Sequence, residues 1–374
     1  MADLQKIIIE VGQARSLGKP VALATVVEVK GSSYRLPGAR MLIVDGRWVA
    51  GSISGGCLED DVVLRAIEVG RTNRPQTATY DTTSDDDIVF GVGLGCKGVI
   101  TILIEPVRAE SGPVDLIEHW LACLRQREAG TVATVVRVED QANAVIGARV
   151  LSRRSADATD IADTELTSKV RAAIEELPSH GTRLRTIALA RGSVDVFLER
   201  IEAPVALVVF GAGHDAMPVV RLAKELGWQV TLVDHRAAYA TAARFPLADH
   251  LVCAAPEEAL GRCAIDADSL VLVMTHNYLR DLKLLECLLQ TPIRYLGLLG
   301  PRKRAEQLLA ELTVRGIQLS PAQLLRLYSP VGFDLGAESP AEVALSILAE
   351  MQAVVAKHPG GSLRDKKSPI HSSQ

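Results

Sequence analysis

Cys57 ends the glycine- and serine-rich run of the stretch Gly51-Ser52-Ile53-Ser54-Gly55-Gly56-Cys57-Leu58-Glu59-Asp60. A thiolate is a soft metal ligand, and the positive end of a helix favours it. Apolar residues recur at helical spacing from Leu58 to Val69, which predicts a helix there with Cys57 at its start. Glu59, Asp60 and Asp61 act in the opposite sense, because nearby negative charge disfavours a thiolate. Gly51, Gly55 and Gly56 permit backbone angles that turn successive N–H groups inward, a nest for an anion. A second cysteine stands among glycines in Gly91-Val92-Gly93-Leu94-Gly95-Cys96-Lys97-Gly98, where Lys97 favours a thiolate at Cys96. Two such turns suit a phosphate-bearing ligand with a soft metal or sulfur centre; two tight turns with buried cysteines are the plain alternative.

A third glycine turn has a different design. Gly211-Ala212-Gly213-His214-Asp215-Ala216 fits G-x-G-x-x-G/A between a strand and a helix. Gly211 allows the tight turn, Gly213 lets a phosphate approach the backbone, and Ala216 allows close helix–strand packing. Asp234 stands at the end of the next strand, where a ribose hydroxyl is usually accepted. This predicts a Rossmann-like unit and makes NAD(P) a candidate ligand, although such a turn also persists in folds that bind no nucleotide. His276 follows a later strand at the edge where open α/β sheets bind ligands. It is a candidate base or a capped structural histidine. Asp281 and the cations Arg302, Lys303 and Arg304 could join it; cations at a helix start oppose the dipole, so an anion partner is expected.

The elements that carry these residues fall into two groups, and the fold class expected is α/β overall. Residues 1–202 read as an α+β domain. An opening helix buries Leu4, Ile7, Ile8 and Val11, and Pro20–Val29 is a strand. Met41–Ala50 is a hairpin turning at Asp45-Gly46, and Gly98–Pro106 is another strand. Strands follow at 131–138, 144–151, 185–190 and 194–201, the last two turned at Arg191-Gly192, with a helix at Glu165–Leu177. Ser152–Thr164 reads as a polar surface loop, and no internal repeat is read from the sequence. Residues 203–356 alternate strand and helix, which predicts a doubly wound parallel sheet. Residues 357–374 are polar and non-periodic and are expected to be disordered.

Composition narrows the classes. The 374 residues suit two domains, and 48% hydrophobic with 23% charged residues suits packed cores. A net charge of −4 argues against a general nucleic-acid binder, and no apolar run reaches spanning length. The start lacks a secretory signal pattern, and scattered thiols fit a reducing cytoplasm. Cys123, Cys253, Cys263 and Cys287 are expected simply to pack. None of the six cysteines forms a CxxC pair, so structural zinc is not expected.

GSISGGCLEDDV resembles the GS-x-SGGC-x-E segment of the XdhC/CoxI family, the accessory factors of xanthine dehydrogenase and carbon monoxide dehydrogenase. Similar blocks run in order from about Gly31 to Met351: GSSYRLPGARMLI, GLGCKG, VFLERIEAPVALVVFGAGHDA, VDHR, VMTHNYLRD, YLGLLGPRKR and SPVGFDLGAESPAEVALSILAEM. The resemblance implies a non-enzymatic chaperone. It would hold the molybdenum cofactor (molybdopterin), protect it around sulfuration by a cysteine desulfurase, and help insert it into a molybdenum hydroxylase such as xanthine dehydrogenase. Carried onto this chain, Cys57 contacts the cofactor and is the candidate contact to its molybdenum, with Gly55, Gly56 and Glu59 shaping the site. Cys96, Gly211, Gly213, Asp234, His276 and Arg302 are further candidates for binding it. A cytoplasmic homodimer is the expected assembly. The chain departs from the family pattern at Asp215, where the family commonly has an apolar residue, at Lys97 and at Pro301. The alternative reading, from Gly211–Ala216 and Asp234, is an NAD(P)-dependent oxidoreductase.

Overall fold

The computed structural model describes residues 1–81, 98–108, 112–178 and 180–367. It divides into two compact units, Asp3–Ala203 and Pro204–Gln374.

The first unit opens with α1 (Ala2–Ser16), then β1 (Val21–Gly31), β2 (Arg40–Val44), β3 (Arg47–Gly51), α2 (Glu59–Thr72), β4 (Gln76–Asp81) and β5 (Gly98–Val107). It continues with α3 (Leu116–Gln126), β6 (Gly130–Glu139), β7 (Arg149–Arg153), β8 (Ala156–Thr159), α4 (Thr164–Glu175), β9 (Thr182–Ala188) and β10 (Ser193–Ile201). The expected hairpin at Asp45-Gly46 is present, both residues at positive φ as a two-residue turn of primed type requires. The expected loop at Ser152–Thr164 is instead the end of β7, all of β8 and the cap of α4. β8 is a short edge strand with no fully buried residue, so it carries no hydrophobic alternation to read. The strand expected from Ala144 begins only at Arg149, after a turn at Gly147.

The unit is a duplication, contrary to the expectation of no repeat. The two antiparallel sheets have the orders β3-β2-β1-β5-β4 and β8-β7-β6-β10-β9, so each element of one has a counterpart in the other. Their registers match as well. Leu23 opposes Glu105 as Val132 opposes Glu199, and each ladder is interrupted by a bulge, at Val27 and at Val136. A shift of 109 positions, from Arg40 to Arg149, superposes Ala24-Thr25-Val26-Val27 on Ala133-Thr134-Val135-Val136 and Gly38-Ala39-Arg40 on Gly147-Ala148-Arg149. Even the hydrogen bonds of the turns repeat: Gly38 N donates to Val26 O and Gly147 N to Val135 O, both at 2.8 Å.

Strand alternation explains the layering. Ala22, Ala24 and Val26 face α2, and Ala133 and Val135 face α4. The opposite faces meet, with Val27, Leu103, Val136 and Phe197 in one cluster and α1 and α3 filling the side. Two buried ion pairs cross between the sheets: Arg40 with Glu199, and Arg149 with Glu105. Each repeat's arginine reaches the other's glutamate, the reciprocal pattern of a two-fold relation.

The second unit contains β11 (Ala206–Phe210), α5 (Ala216–Glu225), β12 (Gln229–Asp234), β13 (His250–Cys253), α6 (Pro256–Arg262), β14 (Leu270–Val273) and α7 (Tyr278–Leu288). β15 (Tyr295–Leu298), α8 (Arg302–Val314), α9 (Pro321–Leu324), β16 (Leu327–Tyr328) and α10 (Pro340–Val355) complete it. All six strands are parallel in the order β13-β12-β11-β14-β15-β16, the doubly wound arrangement expected. One apolar cluster lies under α5 and α10 and another under α6, α7 and α8, so both faces are covered. Beyond α10 the described chain ends at Lys367 after a single 3-10 turn at Leu363–Asp365. Among the described residues no helix is long and apolar enough to cross a membrane.

Glu105→Leu should destabilise the first unit by about 3–5 kcal/mol, because it leaves the Arg149 guanidinium buried without its partner. Adding Arg149→Met should recover most of that loss, and urea titrations of both variants measure it.

Candidate functional site

The Cys57 turn is organised by its own acid. Glu59 is the first residue of α2 and is 2% exposed. Its Oε1 accepts from Ser54 N at 2.9 Å and Ile53 N at 3.3 Å, and its Oε2 from Leu58 N at 3.2 Å and the Ser54 hydroxyl. Ser54 Oγ in turn accepts from Gly56 N, Cys57 N and Leu58 N, each at 3.2 Å. Burial pushes the Glu59 carboxyl up, but hydrogen bonds from the Ser54 hydroxyl and the turn's N–H groups outweigh it and hold it below the usual carboxylate range. Inward N–H groups therefore exist, but not as expected: Ile53, Ser54 and Leu58 rather than the glycines donate to Glu59, and Gly56 N donates to the Ser54 hydroxyl. Gly51 is fixed by contact, since a Cβ there would lie 2.2 Å from Arg40 O, and Gly56 is needed for its φ of 112°. Gly55 lies against the ring of Tyr34, an exposed residue.

The Cys57 thiol is the part of this turn left for chemistry. It is half-buried, leaning on the apolar cluster under α2, and is in no disulfide. Asp61, another acid near it in sequence, is taken up by the Tyr80 hydroxyl at 2.5 Å and Arg65 at 2.6 Å. Cys96, with Gly93 and Lys97, lies outside the described residues. Among the described residues no three His, Cys, Asp or Glu side chains gather as a metal set.

In the second unit the glycine turn follows β11 where the sheet order reverses, beside the end of β14. A Cβ at Gly211 would lie 2.4 Å from Met274 O, so only glycine fits. Asp234 is 5% exposed and its Oδ2 accepts from Ala212 N at 2.8 Å. Arg236 closes on the same carboxylate with Nη2 at 2.7 Å and Nε at 2.9 Å. Burial pushes this carboxyl up, yet the Arg236 guanidinium and the N–H groups of Ala212 and Arg236 win and pull it from 3.8 to about 2. The cavity beside it, lined by Gly211, Asp234 and Arg236, is about 20 Å³, room for one water. Asp215 fills the space at Gly213: a Cβ there would meet its Oδ1 at 2.3 Å. His276, at φ 55°, holds Asp215 Oδ2 at 2.6 Å.

The other sequence-derived candidates separate. Asp281 is 1% exposed and binds Arg304 at 2.6 Å and the Thr275 hydroxyl at 2.5 Å, so the anion expected for that basic cluster is partly internal. Arg302 and Lys303 are exposed at the start of α8. Packing holds for Cys123, which is buried, and for Cys263, half-buried, each thiol pushed up to about 11 by burial. It fails for Cys253 and Cys287, both exposed, because Cys253 ends an edge strand and Cys287 lies on the outer side of α7.

Residues 207–351 match the XdhC Rossmann domain, and residues 14–81 match the XdhC and CoxI family. A Bacillus subtilis protein named as a probable subunit of xanthine dehydrogenase is 33% identical over 331 residues, 88% of this chain and 91% of its own. This chain belongs to the XdhC/CoxI family. An Escherichia coli relative, the molybdenum cofactor insertion chaperone PaoD, is 24% identical over 343 residues, 91% of this chain and 86% of its own. A crystal structure of a Bacillus halodurans protein described as a xanthine dehydrogenase is similar at a TM-score of 0.73 and 28% identity, covering 96% of this chain and 98% of that one.

Asp234→Asn should cost the second unit about 2 kcal/mol at neutral pH, the worth of a carboxyl depressed from 3.8 to about 2. A depressed carboxyl contributes above its unfolded value and loses that contribution as pH falls through its folded one. The difference between parent and variant should therefore shrink from about pH 4 towards pH 2. Denaturation across that range measures it.

Proposed function

We propose that this XdhC/CoxI member is a chaperone for the molybdenum cofactor, with no catalytic turnover of its own. It holds the pterin cofactor as cargo and passes it to a molybdenum hydroxylase of the xanthine dehydrogenase kind. The observation that carries this reading is the half-exposed Cys57 residue, presented on a turn in which the N–H groups of Ile53, Ser54, Gly56, Cys57 and Leu58 are taken up by Glu59 and Ser54. A soft sulfur donor suits molybdenum. The fit is selective: the thiol, Gly55 and Gly56 are available to the cargo, whereas Glu59 acts by holding their turn. A phosphate arm would not enter this nest, since Glu59 fills it. Sulfuration by a cysteine desulfurase, a cytoplasmic location and a homodimeric assembly belong to the same reading, and the name of the relative PaoD supports its central part.

The oxidoreductase alternative is weakened at both of its anchors. Asp234 is spent on Ala212 and Arg236, and the Asp215 carboxylate stands where a pyrophosphate would approach Gly213. NAD(P) is therefore not proposed as a ligand.

Cys57→Ser should keep the fold and retain roughly tenfold less cofactor or worse, because a hard hydroxyl replaces a soft donor and a tenfold change needs only about 1.4 kcal/mol. The readout is pterin fluorescence after oxidation of protein purified by gel filtration from molybdate-fed cells. Equal pterin in parent and variant would sink the assignment of Cys57.

A further inference from the structure

The duplication provides an internal control for a cleft that the chaperone reading does not use. Each crossed ion pair forms the floor of a cavity. The Arg149–Glu105 pair underlies one of about 430 Å³, and the Arg40–Glu199 pair underlies one of about 330 Å³. Register makes Arg108 of the first cavity the counterpart of Glu202 in the second, because Val107 and Ile201 end equivalent ladders. The two rims have diverged in charge. Glu202 is paired with His180 at 2.6 Å, whereas Arg108 and Arg74, which line the larger cavity, are exposed and have no ion-pair partner among the described residues.

The remaining charges of the larger cleft are mostly settled within it. Arg15 is held by Asp115 at 2.9 Å and donates to Arg108 O at 3.0 Å. Asp160 accepts from Arg149 N at 2.6 Å and, among the described residues, is the one carboxylate there without a cationic partner, against the two guanidiniums of Arg74 and Arg108. Leu23, Pro75, Val114 and Val145 give the cleft apolar walls, with Val145 70% exposed at its lip. Its volume is that of a small-molecule site. Asn73 and Arg74 follow the last turn of α2, whereas Cys57 precedes its first, so helix length alone sets the two apart by roughly 20 Å.

We propose that this cleft is a second binding site, for a small phosphate- or carboxylate-bearing molecule with an apolar body. Arg74 and Arg108 receive the anion and the apolar walls receive the body. The site is independent of Cys57, so it stands or falls apart from the chaperone reading.

Calorimetry on the full chain tests it with inorganic phosphate, phenyl phosphate and benzoate. Phenyl phosphate or benzoate should bind saturably at millimolar concentration or below and more tightly than inorganic phosphate; whichever of the two is favoured identifies the anion. Arg108→Ala and Arg74→Ala should each weaken that binding about tenfold, one step of 1.4 kcal/mol. Val145→Glu, which adds a carboxylate at an exposed lip position, should weaken it without touching either arginine. Glu202→Ala in the smaller cleft and Cys57→Ser should leave it unchanged. Absence of saturable binding of both aromatic probes, or equal binding by parent, Arg108→Ala and Val145→Glu, would overturn the proposal.

Discussion

A buried carboxylate has to be met by donors, and in both units this requirement shapes a glycine turn. Glu59 is nearly inaccessible, and the N–H groups of Ile53, Ser54 and Leu58 are the donors it finds. Ser54 extends the arrangement by giving its hydroxyl to Glu59 while receiving three further N–H groups from the turn. Asp234 does the corresponding work in the second unit through Ala212 N and Arg236. In each case a turn whose shape suits an external anion is built around an internal one. The consequence is rigidity, since moving either turn would strand a charge away from water.

The crossed pairs Arg40–Glu199 and Arg149–Glu105 apply the same rule at the scale of the whole first unit. They lie between the sheets beside the apolar cluster of Val27, Leu103, Val136 and Phe197, so they help fix which strand faces which. Their reciprocity explains why register, bulge and turn hydrogen bonds recur in both halves. A shift of one strand by a single residue would turn Glu105 or Glu199 to the wrong face and break a pair. The duplicated scaffold leaves its connections free to differ. Between β3 and α2 it inserts Ser52 to Leu58, and between β8 and α4 only Asp160 to Asp163. The thiol-bearing turn is therefore a feature of one copy, added where the scaffold did not depend on it.

Much of this was legible in the sequence, and the exceptions have physical causes. Hydrophobic alternation and turn chemistry located β1, the Asp45-Gly46 hairpin, β5 and the doubly wound unit. Alternation in Gln76–Asp81, where Ala78 and Tyr80 are buried, was available but weak beside its polar residues. The repeat is carried by short identities such as Gly38-Ala39-Arg40 and Gly147-Ala148-Arg149, with different loops between them. Local patterning looks along one element at a time and does not compare elements a hundred positions apart. The spacing of Gly51 to Glu59 revealed a nest, but which anion filled it depended on the rotamer of Glu59, and a sequence does not specify that. The same holds for Asp234, whose position suits a ribose and whose partner proved to be Arg236.

These self-filled turns limit what each site can recognise. Where backbone donors are free, an anion's charge can dominate recognition; where they are occupied, recognition falls to side chains and shape. At the Cys57 turn the side chain that remains is a thiol, so on the proposed reading selectivity there would rest on softness rather than charge. At the second unit's turn the side chains that remain are Asp215 and His276, a hydrogen-bonded pair over the glycine where a pyrophosphate would otherwise lie. An apolar residue at position 215 would leave that approach open, and the carboxylate closes it by charge as well as by volume. The second unit thus keeps a dinucleotide-binding architecture in which Asp234 and the approach to Gly213 are both engaged by the chain's own groups. A fold of this kind can serve for the elements it positions, because the architecture alone does not dictate the ligand.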